Sequence, residues 1–167
     1  MSWAEVRVAR VLVFDVTATL LDLAALREPF SRAFGDPALM GEWFARLLHG
    51  SLVATLTDTY DDFATIARRA LDAVAKRKGL DLHVAERDTI LGTMLELPVH
   101  PEVPEALSRL RSAGFPLATL TNSPPEMARA QLGYAGILEL FDHVLSVEEV
   151  RRYKPAPEPY HLAAERL

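Results

Sequence analysis

The chain has 167 residues, with 18 basic and 23 acidic side chains, a net charge of −5, half of its residues apolar and no Cys. The length suits one domain or a core with a small insert. The acidic balance argues against nucleic-acid or membrane partners, and the missing Cys excludes disulfides, thiolate metal sites and a cysteine nucleophile. No apolar run approaches a spanning helix, and the charged start MSWAEVRVAR lacks a signal peptide's apolar stretch, so the expected setting is cytoplasmic.

Val6–Phe14 (VRVARVLVF) is Val-rich and ends in an apolar run. It reads as a strand buried on both faces of an α/β sheet. Asp15 follows at once, where open α/β sheets place their ligands. From Leu20 to about Leu97 the pattern is helical. Trp43, Phe44, Leu47 and Leu48 form one stripe, after a break at Gly35-Asp36-Pro37. Phe63, Ile66, Ala67, Ala70, Leu71 and Val74 predict an amphipathic helix over Asp62–Lys76. Asp61 and Asp62 at its start and Lys76-Arg77-Lys78 at its end complement the helix dipole. Glu102–Ala113 reads as a helix closed by Gly114. Phe115–Thr121 is a second buried strand, and Asn122 or Ser123 should cap the helix that Pro124 or Pro125 opens. Phe141–Leu145 reads as a third strand, Ser146 with Glu148 and Glu149 as a short helix start, and a last helix runs to Leu167.

Strands alternating with helices imply a parallel sheet. The expected architecture is an α/β, Rossmann-like core over residues 1–19 and 98–167, with a helical cap, 20–97, inserted after the first strand. In a parallel sheet all strand carboxyl ends open onto one edge. Asp15 with Thr19, Thr121-Asn122-Ser123, Lys154 and Tyr160 can therefore converge although distant in sequence. A carboxylate facing a lysine among hydroxyl and amide donors suits covalent catalysis, with the carboxylate as nucleophile and the ammonium keeping it ionised.

FDVTATLLD, LTNSPP and RYKPAPEPY, in that order and spacing, resemble motifs one to three of the haloacid dehalogenase superfamily. The resemblance is nearest to its L-2-haloacid dehalogenase branch and extends into the cap over Trp43–Phe63. It implies that Asp15 is the nucleophile, bonded by Thr19 and charge-balanced by Lys154. Thr121 would hold the substrate carboxylate or the nucleophile, and Asn122 would contact the leaving group, with Ser123 and Thr17 beside them. Tyr160 matches a family tyrosine near the lysine, and Phe63 an apolar wall of the substrate pocket. The family's halide-binding arginine falls on Phe44.

Phosphatases of this superfamily carry a second Asp two residues after the nucleophile, to protonate a leaving alkoxide. Here that position is Thr17, and a halide needs no proton. The resemblance therefore implies a hydrolase that displaces halide from a small 2-haloalkanoic acid through an ester, without metal or other cofactor. The alternatives are a phosphatase acting on a small phosphate ester, which would need Mg²⁺, or an incomplete fragment that pairs with another chain. The five His residues show no metal-ligand spacing. The implied partner is a small-molecule substrate, with a homodimer as the possible assembly. The family's fourth motif would lie past Leu167. The C-terminal part of the core is thus expected to be missing, leaving Val8–Phe14 as an apolar edge.

Overall fold

The segment LATLT has five consecutive buried residues, so it occupies the middle of the sheet. In the computed structural model, which describes residues 10–167, this is strand β2 (Leu117–Thr121), flanked by β1 (Leu12–Phe14) and β3 (His143–Ser146). Both pairings are parallel, with Leu12 opposite Leu117 and Thr121 opposite Ser146. The three carboxyl ends therefore open on one edge.

Two strand expectations change. Of the first strand, Val6–Ala9 lie outside the described residues, and only Leu12–Phe14 pair with a neighbour. The pairing starts late because β2 does: Leu12 N–H meets the carbonyl of Pro116, just after the Gly114 turn. Nor is β1 buried on both faces. It is an edge among the described residues, in line with the apolar edge expected over Val8–Phe14, and Val13 is 44% exposed. The third strand begins two residues later than Phe141. Leu138–Leu140 wind into a short 3₁₀ turn, the Phe141 ring meets Phe14 edge-on at 6.2 Å, and Asp142 turns to accept Leu117 N–H at 2.9 Å.

Between β1 and β2 lie α1 (Arg27–Phe34), α2 (Leu39–Leu56), α3 (Phe63–Lys78), α4 (Val84–Thr93) and α5 (Val103–Ser112). The chain leaves and rejoins the sheet layer at one place. Asp22 N–H bonds to Pro98 O at 2.8 Å, and His100 N–H to Leu20 O at 3.0 Å. The apolar stripe of α3 buries Phe63, Ile66, Ala67, Ala70, Leu71 and Val74. Asp62 caps this helix by accepting Thr65 N–H, and Gly79 ends it in the left-handed conformation. Against it lies α2, whose buried Trp43 donates to the Ala67 carbonyl at 2.9 Å. The approach is close enough that a Cβ on Gly50 would stand 2.7 Å from Ile66 Cγ2. After β2 come α6 (Pro125–Tyr134), β3 and α7 (Pro157–Arg166). No described helix is long and apolar enough to cross a membrane.

Candidate active site

Asp15 leaves the end of β1 into a tight turn. The Val16 carbonyl accepts from the N–H groups of Thr19, Leu20 and Leu21 there. That fold-back brings Thr19 Oγ1 to Asp15 Oδ2 at 2.9 Å. The other carboxylate oxygen accepts from Lys154 Nζ at 2.6 Å, although 139 residues separate the two. Lys154 also donates to the Leu120 carbonyl at the end of β2. Its side chain is mostly buried, whereas the Asp15 carboxylate is 41% exposed. The nucleophile candidate thus faces a cleft while its counter-ion is held from behind.

All ten residues singled out from the sequence border one cleft of about 420 Å³. Asp15, Thr17 and Thr19 come from the first turn, and Phe44 and Phe63 from α2 and α3. Thr121, Asn122 and Ser123 come from the end of β2, and Lys154 and Tyr160 from the turn after β3 and from α7. Asp15 is the one carboxylate in this lining among the described residues. Thr17 Oγ1 and Ser123 Oγ are buried without a hydrogen-bond partner among the described residues, so both hydroxyls keep unused hydrogen-bonding capacity. A second cavity of about 550 Å³ reaches Asp15 and Lys154 from the side of the β1 edge. Its other lining is Val11, Val13, Phe14, Leu120, Tyr160 and the apolar face of α7. Convergent polar groups distinguish the first cleft as the site.

The cap expected of Asn122 or Ser123 is not made, and Thr121 keeps only one of its two expected roles open. Neither Asn122 nor Ser123 caps α6, whose cap position is Pro124 with no side-chain bond. Asn122 Oδ1 instead accepts the backbone N–H of Lys154 at 3.2 Å, tying the two loops together. Its amide hydrogens take no part in that bond. Thr121 Oγ1 makes no bond to Asp15. It accepts Ser123 N–H at 3.2 Å, which leaves its own proton for the cleft.

Sequence reasoning missed the contacts of the residues just before Lys154. Tyr153 is fully buried, its hydroxyl donates to the Asp61 carbonyl at 2.6 Å, and its N–H donates to Thr55 Oγ1 at 2.9 Å. An aromatic residue adjoining the lysine was the available signal. Arg46, nearest in sequence to the expected arginine position, pairs with Glu42 and borders a different cavity, away from Asp15. Among the described residues, no three His, Cys, Asp or Glu gather as metal ligands.

A family profile described as haloacid dehalogenase-like hydrolase matches residues 9–167. The chain belongs to this family. It is 34% identical over 95% of its length to (S)-2-haloacid dehalogenase 1 of Pseudomonas sp. strain CBS-3, of which it covers 70%. It is 32% identical over 93% of its length to the (S)-2-haloacid dehalogenase of Pseudomonas sp. strain YL, covering 68% of that protein. The solved L-2-haloacid dehalogenase of Xanthobacter autotrophicus with chloropropionic acid covalently bound superposes with a TM-score of 0.88 at 28% identity. That match covers 95% of this chain and 65% of the other. The haloacid dehalogenase-like chain thus spans about two thirds of the length of the relatives it matches.

Proposed function

We propose that this chain hydrolyses the carbon–halogen bond of a small 2-haloalkanoic acid, with Asp15 as nucleophile. The observation that carries the reading is the Asp15–Lys154 contact of 2.6 Å, with Thr17 instead of a carboxylic acid two residues after Asp15 in the lining of the same cleft. A carboxylate held by a cation, with a threonine where a proton-donating acid would stand, suits a leaving group that departs without a proton. Support comes from the names of the relatives above and from the covalently bound chloropropionic acid of the Xanthobacter protein.

A free lone pair on Asp15 attacks C2 in line with the carbon–halogen bond. The new C–O bond forms as halide leaves with the bonding electrons, and C2 inverts. Lys154 and Thr19 each hold one carboxylate oxygen, so the nucleophile is aimed before substrate arrives. Thr121, with its free proton, and the unpartnered hydroxyls of Thr17 and Ser123 take the substrate carboxylate. The Asn122 amide hydrogens face the departing halide. Phe44 and Phe63 enclose the alkyl group, and Tyr160 stands at the mouth. Water then attacks the acyl carbon of the ester. The acyl–oxygen bond breaks, a 2-hydroxy acid of inverted configuration leaves, and Asp15 is restored with release of one proton. None of these steps uses a cofactor.

The test is halide release from each enantiomer of 2-chloropropionate, with and without EDTA. We expect release from one enantiomer, unchanged by the chelator. Loss in Asp15→Asn should be roughly a thousandfold or more, as for other nucleophile removals. A single turnover in ¹⁸O-water should label Asp15 before the product. Phosphate-ester hydrolysis that requires Mg²⁺, with no halide released from any haloacid, would overturn the reading.

A further inference from the structure

Four consecutive residues after β3 each make a distinct contact. The Arg151 guanidinium lies 5.1 Å from the centre of the Tyr60 ring. Arg152 donates to the Thr55 carbonyl and pairs with Asp58. Tyr153 donates from its hydroxyl to Asp61 O and from its backbone to Thr55 Oγ1, and its ring stacks on Tyr60 at 5.4 Å. Lys154 then reaches Asp15. Residues 57–62 form the corner between α2 and α3 and Thr55 lies in the last turn of α2, so three of the four residues grip this one corner of the helical block. Phe63, two residues past Asp61, lines the cleft, and its ring lies 6.0 Å from that of Tyr153. Tyr153 therefore backs the substrate wall on one side and adjoins the catalytic lysine on the other.

We propose that Tyr153 is a positioning residue for substrate binding: its hydroxyl, bonded to the Asp61 carbonyl, latches the α2–α3 corner so that Phe63 closes the cleft over the Asp15–Lys154 pair. This rests on the function proposed above. The two sides of the latch are unequally anchored. Lys154 keeps three bonds of its own to the sheet layer, through Asp15, Leu120 and Asn122. The corner has none of these, and among the described residues its Asp61 carbonyl takes its hydrogen bond from Tyr153 alone. Loss of the hydroxyl thus loosens the wall and leaves the nucleophile aimed. Burial pushes the Tyr153 phenol up from its ordinary value, which keeps it a donor at working pH.

A residue that acts on binding alone should raise KM and spare kcat. Tyr153→Phe keeps the ring and removes the one bond. With 2-chloropropionate we expect KM to rise about three- to tenfold with kcat within about twofold. Thr55→Val, which removes the acceptor for Tyr153 N–H at nearly constant shape, should shift KM the same way by less. Amide exchange in Tyr153→Phe should quicken over residues 57–63 while Thr119 and Leu120 keep wild-type rates. Unchanged KM and kcat with a lowered Tm would make Tyr153 a packing residue and overturn the proposal. A fall in kcat at constant KM would overturn it too, placing the effect on Lys154. Exchange over 57–63 that does not quicken would overturn it whatever the activity. If the wild-type chain releases no halide, the function reading fails and the exchange arm alone decides the latch.

Discussion

Ala18 has φ of 64° in the turn that folds Thr19 back onto Asp15. For a residue with a Cβ this left-handed conformation costs about 1–2 kcal/mol, and glycine adopts it freely. The turn is held in spite of that by Ala18 N–H on the Leu21 carbonyl and by three N–H groups on Val16 O. Ala18→Gly should therefore raise stability by about 1 kcal/mol, or about 2–4 °C in Tm for a chain of this size, since the relieved strain exceeds the entropy lost with glycine. A thermal melt checks it, and an unchanged or lower Tm would show that the turn is unstrained. Asp15, Thr19 and Lys154 were legible only as a set: each alone reads as a cap or a solvated side chain, and the three motifs in order, on a parallel sheet whose carboxyl ends share one edge, bring them together. The partners of Asn122 and Thr121 were not. Each can cap a helix or cross to another loop, and only the 3.2 Å approach of Lys154 N–H decides for Asn122. Tyr153 was hidden for a related reason: a buried aromatic reads as packing until its hydroxyl is seen on a backbone carbonyl 92 residues away.

Among the elements, α3 is the one whose sequence and structure agree most closely, because its stripe, cap and terminating glycine all point the same way. Asp62 accepts both the N–H and the hydroxyl of Thr65, at 2.9 and 2.6 Å. Partial burial opposes its ionisation, but those bonds outweigh it and hold the carboxyl below its ordinary value. A carboxyl lowered by folding stabilises above its unfolded value near 3.9, and that contribution is lost as pH falls through the folded value. Asp62→Ala should cost about 1 kcal/mol at pH 7 and less at pH 2–3. Denaturant melts at the two pH values measure the difference, and an equal cost at both would refute the cap's charge dependence. Gly50 makes the opposite case, where propensity and packing conflict. Alanine favours a helix by about 1 kcal/mol, yet a Cβ here meets the branched, stiff Ile66 side chain at 2.7 Å. Overpacking of this kind costs about 1–3 kcal/mol, so Gly50→Ala should lower Tm, and a rise would mean that α2 and α3 separate without penalty. No local sequence signal reports such a contact. The boundaries of β1 and β3 were hidden in the same way, because each is set by where the partner strand begins.

At the scale of the whole molecule, the site exists only when the chain has folded throughout, since Asp15 and Lys154 meet across 139 residues. The parallel sheet makes that meeting, and its strands are not equally secure. β2 is paired on both sides and wholly buried, whereas β1 is paired on one side among the described residues. Leu12 N–H points to β2, where it meets Pro116 O. Successive residues alternate, so Val13 N–H points to the outer edge, beside the cavity lined by Val13, Leu120 and Ala163. An unpaired, solvent-reached amide exchanges by small fluctuations, while one in a central strand waits for global opening. Amide exchange in the full chain should therefore rank Ala118 and Leu120 slowest and Leu12 next, with Val13 faster than Leu12 by at least tenfold. The Val13 amide is the sensitive one, because it is the group that any strand added beside β1 would bond. If it exchanges as slowly as Leu120, the outer edge of the sheet is covered in solution, and the 550 Å³ cavity beside Asp15 is closed with it.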